Sequence, residues 1–188
     1  GTVFRGYARR YVNSYVPRWQ EAEAADPTYA RLDFSDLGDT STGKLKTLHA
    51  IAATGNHEIA LIALKGDIDN LGSLFQHGLE KPTFARWAAL SRQINAFFAI
   101  WLPWHCMQNS RDIYTVFAGG DDFFLIGPWE QSIHLASQLR ENFRRYVTRD
   151  DITFSLGAVM ATPKTPARHL AESAERGIEQ AKQQPGKN

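Results

Sequence analysis

The chain has 188 residues, 43% of them hydrophobic, which suffices for one domain of ordinary size with a real core and argues against extended disorder. A formal net charge of +1 leaves any electrostatic function to local arrangement, and the single cysteine, Cys106, excludes an intrachain disulfide and a cysteine-based zinc site. No apolar run reaches the length of a membrane span (the best is Phe97 to Leu102) and no secretory leader is visible, so the expected location is the cytoplasm, without membrane contact. The chain opens on Gly1-Thr2 and closes on Pro185-Gly186-Lys187-Asn188, and both ends read as cut from something longer.

Residues 1–57 read as an N-terminal extension or linker, partly helical. Arg5, Arg9, Arg10 and Arg18 are basic, and residues 33–43 have the composition of a flexible loop. Leu45, Leu48, Ile51 and Ala52 then recur at helical spacing until Gly55-Asn56. A second unit is expected over residues 58–184, with 185–188 as a tail. Residues 59–64 form an apolar run of strand length, buried on both faces, and an Asp/Asn/Gly-rich turn follows. Pro82-Thr83 opens a long helix with the stripe Phe84, Trp87, Leu90, Ile94, Phe97 and Trp101, which Pro103 must kink or end. Residues 113–117 and 123–126 flank Gly119-Gly120-Asp121-Asp122 as two strands flank a hairpin tip. Trp129, Ile133, Ala136, Leu139, Phe143 and Val147 mark another amphipathic helix, residues 152–161 a strand, and Pro166 to about Lys182 a final helix. The order β-α-β-β-α-β-α predicts an α+β, ferredoxin-like domain, an antiparallel sheet with helices on one face plus a C-terminal helix.

The chemistry concentrates at two places. Gly119 and Gly120 permit positive φ and close backbone approach, and Asp121 and Asp122 repel each other unless a counter-charge such as Mg²⁺ or Mn²⁺ intervenes. The tip alone reads equally as a polar turn. Asp67, at the end of a buried strand, changes the balance, because a carboxylate there must face a cleft or a metal, and it could join Asp121 and Asp122 around one or two cations. Asp69 and Asn70 serve a turn and helix cap as readily as a ligand. The loop Asn70-Leu71-Gly72-Ser73 offers successive backbone N–H groups to phosphate oxygens. Lys182 fits both a favourable helix C-terminus and a reach toward a triphosphate. Arg140, Arg144, Arg145 and Arg149 read first as a solvated face, and His105 and Cys106 as packing residues.

Asp67-Ile68-Asp69-Asn70-Leu71-Gly72 together with Ala118 to Trp129 resembles the second palm domain of the large subunit of type III CRISPR effector complexes, the III-A kind most closely; Tyr15-Val16-Pro17-Arg18 and Leu170 to Lys182 are also similar. The resemblance implies a nucleotidyltransferase that joins ATP through 3′–5′ bonds into cyclic oligoadenylates when the complex has bound target RNA. It implies a two-metal Mg²⁺ or Mn²⁺ site with Asp67, Asp121 and Asp122 as catalytic carboxylates and metal ligands, completed by the Ile68 carbonyl. Asn70, Leu71, Gly72, Ser73, Gly119, Gly120 and Lys182 would bind nucleotide. The implied partners are the other subunits, with guide and target RNA reached through the full-length subunit. A diguanylate-cyclase-like domain using GTP shares this architecture, but carries Glu where Asp122 stands and Phe-Lys where Asn70-Leu71 stands. A catalytically silent scaffold or RNA-binding module is the reading from a different class.

Overall fold

Strand β1 can occupy the middle of a sheet because both of its faces are apolar: Ile62, Leu64 and Ile68 point one way, Leu61 and Ala63 the other. In the computed structural model, which describes residues 15–55, 58–77, 83–147, 149 and 152–183, that is where it lies. The helices and strands run α1 (Phe34–Leu37), α2 (Leu48–Ala53), β1 (Leu61–Ile68), α3 (Leu71–His77), α4 (Phe84–Ala96), a π-helical segment (Phe97–Trp101), α5 (Leu102–Asn109), β2 (Tyr114–Gly119), β3 (Asp122–Pro128), α6 (Trp129–Val147), β4 (Phe154–Ala161) and α7 (Ala167–Gln183). All pairings are antiparallel, in the order β2-β3-β1-β4. This is the expected ferredoxin-like α+β arrangement.

The crossover helices lie on one face, as expected. Ile94, Phe97, Phe98, Leu102, Leu135, Leu139 and Phe143 close the core over Ile62 and Leu64. The expectation of helices on one face alone needs correction, because α2 and α7 cover the other: Ile51, Ala52 and Leu170 pack against Leu61, Ala63, Phe124 and Ile126. A strand apolar on both faces requires cover on both. Beneath the ends of β3 and β4, the rings of Phe98, Phe123, Phe143 and Phe154 stand 5.2–6.1 Å apart. Edge and offset contacts of that kind add about 0.5–1.5 kcal/mol each beyond area burial, fixing the strand ends that carry the acidic residues.

Four local expectations change. Phe84 is 83% exposed and Trp87 also faces solvent, so the α4 stripe enters the core only from Leu90 and Ile94. Ile133 is 52% exposed, and Ser132 and Leu135 take the buried side of α6. At Pro103 the helical run does not end but changes register. The missing N–H is absorbed by a switch to π register, in which Leu102 N–H bonds to the Phe97 carbonyl, and α5 continues. The loop expected over residues 33–43 contains α1. Asn56, Pro82, the basic residues Arg5, Arg9 and Arg10, and the tail 185–188 lie outside the described residues.

The segment before β1 has a small core of its own, with Trp19, Tyr29, Ala50 and Ala53 buried. Thr47 caps α2 by accepting the Ala50 N–H at 3.0 Å. Besides the packing of α2 on the sheet, polar contacts tie the segment to it. Tyr15 forms a bridge to Thr115 at the outer edge of β2. The Lys46 ammonium lies 2.6 Å from Glu23 and 2.6 Å from Asp112, immediately before β2.

Candidate functional site

Asp67 and Asp122 are directly opposed in the antiparallel register of β1 and β3. Paired residues leave a sheet on the same face, with Cβ atoms about 4.5–5.5 Å apart. That face is the one α7 covers, and Lys65, two residues before Asp67, shares it. Burial above all, and then repulsion from Asp121, raises the Asp122 carboxyl above its ordinary value; Lys65 opposes this, while Asp67 and Glu175 add to it.

Helix α7 supplies charges of both signs. Glu175 pairs with Lys65, and Lys182 pairs with Asp67. Both reach the strands because the helix is set down closely on β4. A Cβ at Gly157 would lie 2.1 Å from the Ala174 carbonyl oxygen, and a Cβ at Gly177 3.2 Å from the Gly157 Cα. Only a glycine at 157 admits the helix at that height.

The hairpin loop is two residues long, Gly120-Asp121, between paired Gly119 and Asp122. Gly120 takes φ 70°, as the first loop position of such a hairpin requires. The loop is fastened from two sides: Ile68 N–H donates to the Asp121 carbonyl at 3.1 Å, and Gly120 N–H donates to Asn95 Oδ1 at 2.8 Å. Asp121 borders a cleft of about 80 Å³ with Leu71, Ser91, Ile94 and Gly120, toward α4. Thus Asp67 and Asp122 come together on the α7 face, and Asp121 turns to the neighbouring cleft.

The loop after β1 divides its residues between structure and the site. Asp69 accepts hydroxyl hydrogen bonds from Thr153 at 2.9 Å and Ser155 at 2.5 Å, tying β1 to β4. Asn70 adopts φ 53°, which asparagine tolerates, and its carbonyl accepts the Leu74 N–H at 2.9 Å to start α3. Leu71 borders the cleft, while Gly72 and Ser73 are exposed, and a Cβ at Gly72 would meet nothing within 4 Å. Ile68 buries its side chain in the core and presents its backbone at the tip.

Carboxylate oxygens are the donors that Mg²⁺ and Mn²⁺ take, and the Lys182 ammonium already stands beside Asp67 as a cation, so the residues fit a hard cation in kind. Among the described residues no group of three or more His, Cys, Asp or Glu side chains is gathered closely enough to hold a metal by itself. His105, stacked on Trp101, and Cys106, whose thiol burial pushes up to about 12, are packing residues, as expected. Arg140, Arg144 and Arg145 face solvent, with Arg145 paired to Glu141 one helical turn away at 2.8 Å.

Three residues at the site take no role from the sequence: Asn95, Lys65 and Glu175, the last within the 170–182 stretch. The alternation of β1 places Lys65 on the face of Asp67, so that position was open to a period-two reading. Asn95 and Glu175 act only through tertiary contact.

Residues 60–188 match the family model of the Cas10/Cmr2 second palm domain. The Cas10/Csm1 protein of Methanocaldococcus jannaschii, described as a CRISPR system single-strand-specific deoxyribonuclease of subtype III-A, is 33% identical over 165 residues, covering 80% of this chain and 19% of its own length. A crystal structure of a Csm1–Csm4 cassette in complex with AMPPNP superposes with TM-score 0.70 at 26% identity, over 81% of this chain and 23% of that one. Another, in complex with pppApApA, gives TM-score 0.68 at 25% identity, over 75% and 22%. The chain thus spans about a fifth of the length of these relatives. By the extent of the family match, this chain belongs to the Cas10/Cmr2 second palm domain family.

Proposed function

We propose that this chain is the nucleotidyl-transfer palm of a type III CRISPR effector subunit, using ATP to build 3′–5′-linked cyclic oligoadenylates. The observation that carries the reading is the cross-strand pairing of Asp67 with Asp122 beside the Gly120-Asp121 loop. Similarity to Csm1–Csm4 structures with AMPPNP and with pppApApA favours ATP over GTP as substrate. The palm unit would span residues 58–184, with 1–57 as its N-terminal extension.

Asp67, Asp122 and Asp121, with the Ile68 carbonyl, would hold Mg²⁺ or Mn²⁺, which when bound lowers the pKa of an attacking hydroxyl and balances the charge of departing pyrophosphate. The residues of the chain do the rest. Asn70 to Ser73 would receive the phosphates on backbone N–H groups, and Gly119 and Gly120 would let them approach the hairpin without a Cβ in the way. Lys182 would exchange Asp67 for a phosphate oxygen. The ribose 3′-hydroxyl would give its proton to solvent and attack the α-phosphate in line, the new P–O bond forming as the bond to pyrophosphate breaks and pyrophosphate leaves.

The cleft beside Asp121, about 80 Å³, falls well below the roughly 300–1,000 Å³ that bury small ligands. This cleft alone would cover little of a bound ATP, and we take the activity to depend on the remaining subunit, on partner subunits and on guide and target RNA.

Calorimetry with ATP and Mn²⁺, on the wild-type chain and on Asp67→Asn/Asp122→Asn, tests the reading. Metal-dependent ATP binding that the double substitution abolishes supports it; equal binding by both proteins defeats it, and a preference for GTP defeats the choice of substrate.

A further inference from the structure

We infer that Asn95 is a positioning residue for the hairpin tip, holding Asp121 in the orientation in which it serves the site. The inference rests on the proposed role of Asp121 as a metal ligand.

The tip needs holding. A two-residue loop with glycine at its first position has wide backbone freedom, and Asp121 is the one carboxylate of the set that stands outside the β1–β3 ladder. Ile68 N–H restrains the carbonyl side of the loop. The amide side is restrained by Asn95 alone among the described residues, through the 2.8 Å bond from Gly120 N–H to Oδ1. With both ends fastened, the loop backbone is held, and with it the direction in which the Asp121 Cα–Cβ bond leaves the tip.

The helix is built to present this contact. Ser91, Asn95 and Ala99 are spaced four apart and so lie on one stripe. Ser91 lines the Asp121 cleft, Asn95 bonds to Gly120, and a Cβ added at Gly119 would meet both Ala99 Cβ and Asn95 Oδ1 at 3.5 Å. The π register begins two residues after Asn95, so Asn95 is anchored where the helix changes pitch, with Phe97 and Phe98 fully buried behind it. Such π segments recur at functional sites.

The test compares Asn95→Leu, which keeps volume and removes the acceptor, with Asn95→Asp, which retains an acceptor oxygen. Asn95→Ser, too short to reach, replaces the leucine variant should that fail to fold. Mn²⁺ alone is titrated by electron paramagnetic resonance, and exchange of the Gly120 amide is followed by NMR. The expected result is faster Gly120 exchange and Mn²⁺ binding weaker by about two- to tenfold, the range set by one hydrogen bond, with both restored in Asn95→Asp. If Asn95→Leu binds Mn²⁺ as wild type does while Asp121→Asn loses binding, the inference fails and the site stands. Weakened binding that Asn95→Asp does not restore also overturns it, as a general effect on folding. If Asp121→Asn itself binds Mn²⁺ normally, Asp121 is no ligand and both readings fall.

Discussion

Two lysines divide this molecule. Lys46 ties the N-terminal segment to the sheet with its side chain only 3% exposed, held by Glu23 and Asp112 at 2.6 Å each and by the Tyr29 hydroxyl at 3.1 Å, above the ring of Trp19. Burial alone would lower its pKa, but Asp112 and Glu23 more than reverse this and raise it. Among the described residues Lys182 has one carboxylate partner, Asp67, and its side chain is 38% exposed. Among the described residues the first ammonium is enclosed by its three acceptors and acts as a strut. The second can trade its carboxylate for water or for another anion. Burial and the number of acceptors, rather than the presence of an ion pair, separate a fastening of the fold from a movable charge at a site.

The largest effect should follow breaking the strut. Lys46→Met leaves Glu23 and Asp112 facing each other without a cation, and removing one partner of a buried pair costs about 3–5 kcal/mol. Urea denaturation should report a loss of that size; a change near zero would erase the contrast between the lysines. Next comes the seat of α7. Gly157→Ala forces a Cβ against the Ala174 carbonyl and should cost about 1–3 kcal/mol as overpacking. Because lifting α7 also withdraws Glu175 and Lys182, this variant should lose Mn²⁺–ATP binding while Lys46→Met at low temperature keeps it. Acid should act on the strut in a defined direction. Burial works against the charged form of Glu23, yet its hydrogen bonds from Lys46 and the Gln20 N–H outweigh it and hold its carboxyl below the ordinary 4.5. A depressed carboxyl stabilises the fold above its unfolded value and ceases to do so as pH falls through its folded one. Tryptophan fluorescence from Trp19 should therefore stay constant from neutral pH down to the ordinary carboxylate range and change only below it.

The sequence made the sheet legible because its strands are bounded by strong signals: the double-faced run of β1, the glycine pair of the hairpin, and the prolines before the helices. It grouped Asp67 with both Asp121 and Asp122; the register that sets Asp67 opposite Asp122 alone is seen only in the paired strands. What it hid depended on distance in the chain. Phe84 and Ile133 fit helical spacing yet face solvent, since period alone does not say which part of a stripe meets the sheet. Pro103 carried the signature of a helix stop, and the π register that accommodates it has none. Asn95, Glu175 and the close approach at Gly157 become functional only when α4 and α7 dock. Lys65 adjoins the motif, but its pairing with Glu175 required α7 in place.

The smallest stability effect should come from Lys182→Gln. An exposed ion pair contributes about 0–1 kcal/mol, so the melting temperature should barely move. Its effect on ligands should take opposite signs. Mn²⁺ alone no longer competes with an ammonium for Asp67, so its binding should tighten by up to about fivefold, the equilibrium equivalent of such a pair. ATP in the presence of Mn²⁺ should bind more weakly, because the charge that would move to the phosphates is gone. Tightened metal with weakened nucleotide is a pattern that a strut cannot produce, since loss of a strut either leaves ligand binding alone while the chain stays folded or weakens every ligand together as it unfolds. If Lys182→Gln instead destabilises the chain as much as Lys46→Met does, the helix charge is a fastening, and the two lysines differ in place but not in kind.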